Sequence, residues 1–309
     1  MYHIIINPAS RSGKGIRIWE KQVEPILQQR EVAYCAYFSK HPGDVAALTA
    51  KIMADSKETP VHFIILGGDG TINEALQGIT DTSRAVIGYL PTGSSNDFAR
   101  DLRIPSNPAQ ALELILSSGR EQAFDLGTVT YEDGETHRFA VSCGIGYDAA
   151  TCEEVLRSGI KKILNKIGLG KIVYLWIALK QLIGTKKVSA KIILSDTTVF
   201  QIDKMYFTVC MLHRFEGGGF NFCPEADATD GILDMCMAAD LSKPKVLMAL
   251  PSAFKGKHYR YKGITGFKAP GLTIETSTPL WVHTDGEVAR KSSKITVSCE
   301  QQAIRIIVP

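Results

Sequence analysis

The apolar run 61–66 stops against Gly67, Gly68, Asp69, Gly70 and Thr71, and the chain resumes as Ile72, Asn73, Glu74, Ala75 and Leu76. A strand that ends in a glycine turn and restarts as a helix belongs to a parallel α/β sheet and to few other architectures. Such a turn is also a place to hold phosphate. With no side chains at Gly67, Gly68 and Gly70, backbone N–H groups approach an anion closely, and a helix beginning near Thr71 directs the positive end of its dipole at it. Asp69 changes the chemistry of this loop. A carboxylate facing phosphate repels it unless a cation bridges the two, so Asp69 reads as a handle for Mg2+ or as a base near a transferred group. The alternative reading of the same residues is a tight turn with a helix-capping Asp.

Two other segments repeat the pattern. The short strand 3–6 runs into Asn7, Pro8, Ala9, Ser10, Arg11, Ser12, Gly13, Lys14 and Gly15 before the helical stretch 16–29, a loop of small residues and two cations without Walker A spacing. The run 85–90 ends in Pro91, Thr92, Gly93, Ser94, Ser95, Asn96 and Asp97, again hydroxyl and amide donors at a helix start. Each loop alone is compatible with ordinary N-capping. Three of them at the strand ends of one parallel sheet would share an edge, where open α/β sheets bind ligands. With strand 33–38 and helices 43–54 and 72–79, these segments give the βαβ rhythm. After Asp125, Leu126 and Gly127 the rhythm changes to short strands at 139–143, 188–194, 204–211, 232–238, 272–275, 280–283, 295–299 and 303–308, as in a sandwich or barrel. Helical stretches at 149–185 and 243–254 interrupt them. We expect an α/β domain over 1–127 and a β-sandwich-like domain over 128–309, with the last strand a candidate to rejoin the first domain.

Composition excludes several classes. A net charge of +3, with basic residues not interleaved with aromatics on one module, gives no nucleic-acid partner. Seven scattered cysteines without metal spacing read as reduced thiols of a cytoplasmic protein. The N-terminus enters a strand at once, with no secretory leader, and the most apolar stretch, 172–183, is too short to cross a bilayer. Peripheral contact with the inner face of a membrane is expected instead, through Lys161, Lys162, Lys166 and Lys171 around an apolar segment and a second basic run at Lys255, Lys257, His258, Arg260 and Lys262. Solvated helix faces are the alternative for both runs. A homodimer is among the assemblies this reading allows.

GGDGTINEAL at 67–76, PTGSSNDFAR at 91–100, NPASRSGKG at 7–15 and the late Asp285, Gly286, Glu287 form an ordered set. That set resembles the bacterial lipid kinases that share the diacylglycerol kinase catalytic domain, and the resemblance runs from Asn7 to the C-terminus. GGDG alone also occurs in NAD kinases, which makes a NAD kinase the nearest rival and a silent nucleotide- or lipid-binding regulator the rival from another class. The resemblance implies an NAD kinase/diacylglycerol kinase-like fold, with the nucleotide between an α/β domain and a β-sandwich domain. It also implies transfer of a phosphoryl group from ATP, with Mg2+, to a lipid hydroxyl, diacylglycerol leading. The expected nucleotide contacts are Asn7, Lys14, the backbone of Gly67, Gly68, Asp69, Gly70 and Thr71, then Asn73, Ser94 and Asn96. Ser39 stands where the family has a nucleotide-contacting Thr, although a Ser before Gly43 and Asp44 also suits a helix cap. Asp69 and Asp97 are the candidate Mg2+ carboxylates, with self-capping the alternative for Asp97. Asp285, otherwise a plain hairpin turn, becomes the expected base, a role that Asp69 could share. Asp230, with main chain from Asp227 and Ile232, is implied to hold a second Mg2+, with a plain turn the alternative reading.

Overall fold

The computed structural model describes residues 1–157, 177, 180–182 and 184–309. Lys161, Lys162, Lys166 and Lys171 of the first candidate membrane segment lie outside the described residues. By its internal contacts the chain divides into two compact units, Met1–Phe124 with Gln302–Pro309, and Asp125–Gln301.

The first unit is a parallel sheet. β1 (Tyr2–Ile6) lies between β2 (Tyr34–Phe38) and β3 (Val61–Gly67), β3 pairs with β4 (Ala85–Pro91), and the end of β15 (Glu287–Val308) pairs with β4 through Arg305 and Ile306. Ile4, Ile5, Ile6, Phe63, Ile64, Ile65, Leu66, Val86 and Ile87 are fully buried, which is why these strands read as unbroken apolar runs rather than alternating ones. The order β2-β1-β3-β4 reverses at β1, so the loops after β1 and β3 leave the sheet on either side of a topological switch point. The Asp69–Gly78 helix starts two residues before the expected Thr71. Its first turn is closed by the Gly68 N–H donating to Thr71 Oγ1 at 3.3 Å.

The second unit is antiparallel. β9 (Val199–Met211) pairs with β12 (Leu233–Ala239), which carries β13 (Ile264–Ala269) at the edge, and β14 (Gly271–Thr284) pairs with β15. Between β9 and β14 stand two short strands end to end. β8 (Val188–Leu194) pairs with the first parts of both, and β7 (Ser142–Gly146) with their last parts. This explains a difference from the sequence reading. The expected strands 272–275 and 280–283 are one strand, β14, whose register to β15 shifts between Glu275 and Leu280 in the stretch where its other neighbour changes from β8 to β7. The expected strand 139–143 is instead the end of β6 (Thr136–Phe139) and the start of β7, and β6 pairs with the unanticipated β5 (Arg120–Tyr131). β10 (Phe215–Glu216) and β11 (Phe220–Asn221) pair with each other as a short hairpin, and the helix Lys243–Ala253 follows β12. Among the described residues, no helix is long and apolar enough to cross a membrane.

Candidate active site

In the first unit the three strand-end loops are tied to one another. Asn7 Nδ2 donates to Thr71 Oγ1 at 3.0 Å, joining the loop after β1 to the GGDG helix, and the Ser10 and Thr92 hydroxyls meet at 2.8 Å. A Cβ on Gly68 would stand 3.0 Å from Gly93 Cα, and one on Gly93 would stand 2.6 Å from Gly68 Cα, so the two glycines let the loops after β3 and β4 touch backbone to backbone. The Asp69 carboxylate bridges the same pair of loops. It accepts the N–H groups of Asp97 at 3.1 Å and Phe98 at 3.4 Å, capping the Asp97–Asp101 helix. The Asp97 carboxylate pairs with the Arg100 guanidinium. Asn96 is left-handed at φ +50° and holds the turn, accepting from Gly93 N at 2.8 Å and donating to Gly93 O at 3.2 Å.

The other expected nucleotide contacts are placed unevenly. Lys14 and Ser94 are exposed on the outer ends of their loops, whereas Asn73 is buried on the GGDG helix. Ser39 does not cap the helix that follows it, Asp44–Asp55. The turn before the Asp44–Asp55 helix is closed by the Asp44 carboxylate, which accepts from Lys40 N and His41 N at 2.7 and 2.8 Å. Buried Tyr89 reports on the carboxylates. Burial pushes its phenol well above the usual tyrosine value, and the charges of Asp69 and Asp97 add to the rise, so both bear on one point of the sheet edge. Asp69 and Asp97 are the carboxylates at this edge that could hold a hard cation such as Mg2+, which keeps part of its own water shell.

In the second unit Asp285 and Gly286 form the hairpin turn between β14 and β15, both left-handed, with φ +52° and +82°. Asp-Gly is the pair that such a turn selects. The turn also aims a side chain. The Asp285 carboxylate accepts three successive backbone N–H groups, from Ala140 at 3.0 Å, Val141 at 2.7 Å and Ser142 at 2.9 Å, and its own N–H donates to Ser142 O at 2.9 Å. These bonds fix the carboxylate to the link between β6 and β7.

Behind the turn lies a cluster that sequence reasoning missed. His283, fully buried, places Nε2 at 3.1 Å from Asp148 and 3.3 Å from Glu216, and its Nδ1 faces the Gly286 N–H at 3.2 Å. Gly144 stands opposite His283 in the β7–β14 register, and any side chain there would collide with the His283–Asp148 pair. Charge and geometry pull on the ring in opposite directions. Burial opposes an imidazolium, but Glu216 and Asp148 outweigh it and favour a charged ring, to about 9. A charged ring, however, would point an Nδ1 proton at the Gly286 N–H, which is fixed by the turn. We therefore assign a neutral ring with its proton on Nε2, and the surplus proton of the cluster to Glu216, whose carboxyl burial raises to about 7. Cys152 Sγ lies close enough to Glu216 and His283 to make a candidate metal group. The same Nδ1 contact argues against it, because a metal at Nε2 would require the proton on Nδ1. The only sequence signals were single polar residues at 148, 216 and 283 in apolar or glycine-rich surroundings.

The acidic loop after Phe222 is closed by its own groups. Asp227 accepts from Thr229 N and Oγ1, Asp230 accepts from Ile232 N at 2.9 Å, and among the described residues these carboxylates form no cluster of three ligand groups. Asp125 latches the loop. It is buried, accepts from Gly231 N at 2.7 Å, and donates its own N–H to Ala228 O at 2.7 Å.

Comparison with known proteins finds two family models along the chain. Residues 1–129 match the diacylglycerol kinase catalytic domain, and residues 141–308 match the YegS C-terminal NAD kinase beta sandwich-like domain. A Bacillus subtilis protein named "Putative lipid kinase YtlR" is 26% identical over 93% of each chain. A Mycobacterium tuberculosis diacylglycerol kinase is 25% identical over 92% of this chain and 88% of its own. A crystal structure of a Bacillus anthracis protein superposes with a TM-score of 0.78 over 100% of this chain and 95% of its own, at 22% identity, which speaks to the fold alone. The chain belongs to the lipid-kinase family that joins a diacylglycerol kinase catalytic domain to a YegS-type β-sandwich-like domain.

Proposed function

We propose that this kinase transfers the γ-phosphoryl group of ATP to the free hydroxyl of diacylglycerol, at the cytoplasmic face of a membrane. The observation that carries the nucleotide half is the Asp69 carboxylate bridging the glycine loops after β3 and β4. The acceptor is suggested by the names of the relatives. In this reading the backbone of Gly67 to Thr71 receives the phosphates, with Asn7 and Asn96 keeping the neighbouring loops in place. Asp69 and Asp97 would hold Mg2+ through water, which supplies charge neutralisation for the β- and γ-phosphates. Asp285, oriented by three N–H donors, accepts the proton of the attacking hydroxyl. Phosphoryl transfer asks mostly for positioning and charge stabilisation, and rigid loops meet that demand.

ATP consumption across a panel of lipids in mixed micelles, with NAD as control, tests the reading. Phosphorylation of diacylglycerol is expected, and consumption with NAD alone would overturn it. Asp285→Ala should lower kcat by about 10²-fold to 10⁴-fold with little change in ATP affinity. A loss confined to ATP binding would move Asp285 into the nucleotide site.

A further inference from the structure

The surface formed by the helix Lys243–Ala253 and the turn after it combines two features that a surface helix seldom shows together. Val246, Ala249 and Ala253 face inward and are buried, as an amphipathic helix requires. The outward face is apolar as well. Met248 is 63% exposed, Leu247 45% and Phe254 38%, with Pro251 exposed beside them. These are not loose ends, because Phe254 stacks on Phe220 with ring centroids 4.0 Å apart and Tyr261 ties its hydroxyl to Met248 O at 3.1 Å.

The charge around this face is of one sign. Between Asp240 and Glu275 the chain carries Lys243, Lys245, Lys255, Lys257, Arg260, Lys262 and Lys268 and no acidic residue. Lys268 is paired with Asp234, but among the described residues no carboxylate pairs with Lys255, Lys257 or Arg260. These three, with Met248, Pro251 and Ser252, line an open hollow of about 330 Å³. Exposed apolar side chains bordered by unpaired cations match a bilayer of anionic lipids, where acyl chains take the first and headgroup phosphates the second. An acidic protein would suit the cations and leave Leu247, Met248 and Phe254 without an apolar partner.

We infer that Leu247, Met248, Pro251 and Phe254, with Lys255, Lys257 and Arg260, form the surface by which the protein docks on an anionic membrane. The purpose of this docking rests on the lipid-acceptor reading, since a diacylglycerol with long chains is reached only at a bilayer. The docking itself is measured without catalysis.

The full-length protein is titrated with vesicles of phosphatidylcholine alone and of phosphatidylcholine with an equal amount of phosphatidylglycerol. Binding is expected to the mixed vesicles only, fading as salt rises. Replacing Lys255, Lys257 and Arg260 by Gln should weaken it about 100-fold at low salt, because each cation near such a surface contributes a factor of about five. Leu247→Glu with Met248→Glu should remove what binding survives in high salt. Met248→Trp adds a positive reading, since acyl chains brominated near the headgroup should quench the introduced indole. Unchanged binding in the triple variant, no quenching, or no binding of the parent to mixed vesicles would each overturn the assignment. Activity on a short-chain, water-soluble diacylglycerol separates the two readings. If that acceptor is phosphorylated normally by the triple variant while vesicle-borne lipid is not, both stand. If no lipid is phosphorylated yet vesicle binding depends on the patch, the acceptor reading alone fails.

Discussion

Asp285 is held from two sides, by the N–H groups of residues 140 to 142 on its carboxylate and by His283 Nδ1 on the N–H of Gly286, the next residue of the turn. If Asp285 is the base proposed above, the second contact makes His283 a positioning residue for it, and two substitutions separate its ring nitrogens. His283→Asn can present an acceptor where Nδ1 stands, and His283→Gln can present a donor where Nε2 stands. Both should cost stability, about 1–3 kcal/mol for the buried partner left unpaired. Only Gln should lower kcat, by about 10-fold to 100-fold, the scale of a small misplacement of a reacting group. Equal kcat losses in both would reduce His283 to a packing role. Glu216 gives a pH signature. Its folded value of about 7 lies above the ordinary 4.5, so the folded state holds a proton that the unfolded state releases. Its contribution to stability is therefore complete below about 4.5 and is lost as pH rises through 7. Glu216→Gln keeps the protonated shape at every pH. Relative to the parent it should gain up to about 3 kcal/mol between pH 4 and pH 8 in urea unfolding, and a flat difference would remove the surplus proton from this carboxyl. Asp69, Asp97 and Asp285 were legible as candidates because each stands in a run of turn residues, Asp69 between glycines, Asp285 before Gly286 and Asp97 after Gly93 to Asn96. Asp148, Glu216 and His283 were not, because three distant segments meet only through the β7–β14 register and the turn behind it, and no local pattern records that meeting.

Elements were easiest to read where one physical signal dominated. β1, β3 and β4 are buried on both faces and bounded by turn residues, so their positions followed from apolar runs alone. β5 has a polar first half, with Arg120 and Glu121 exposed, and the apolar signal begins only at Phe124, which hid a strand of 12 residues. The acidic loop was legible as a turn rich in carboxylates, but nothing local showed that Asp227 and Asp230 close it as Asx turns or that Asp125, about a hundred residues earlier, holds it. Asp125→Ala should strip the Gly231 N–H of its acceptor and cost about 1.5–3 kcal/mol, the range for a hydrogen bond to a charged group. Limited proteolysis should then cut first within residues 225–231, ahead of any other site. A cleavage pattern unchanged from the parent would show that the Asx turns at Asp227 and Asp230 hold the loop without the latch.

At the scale of the molecule, the first unit is completed by the last eight residues of the chain, Gln302–Pro309. Gln302, left-handed at φ +49°, marks where β15 passes from the antiparallel sheet to its parallel pairing with β4 through Arg305 and Ile306. Ile304, Ile306, Ile307 and Val308 are all buried there. At roughly 1.5–3 kcal/mol for each buried aliphatic side chain, their loss removes about 6–12 kcal/mol. A whole domain is stable by only about 5–15 kcal/mol, so a chain ending at Gln301 should not keep its first unit folded. The prediction is selective. Truncation should abolish the rise in melting temperature that ATP gives the full chain and open residues 1–124 to protease, while fragments from Asp125–Gln301 persist. Ile306→Asp in the full-length chain should do the same, because it buries a charge with no partner in the same strand position. A truncated chain that still gains stability from ATP would mean that β4 tolerates an open edge and that the return of the C-terminus serves some end other than holding the phosphate loops in place.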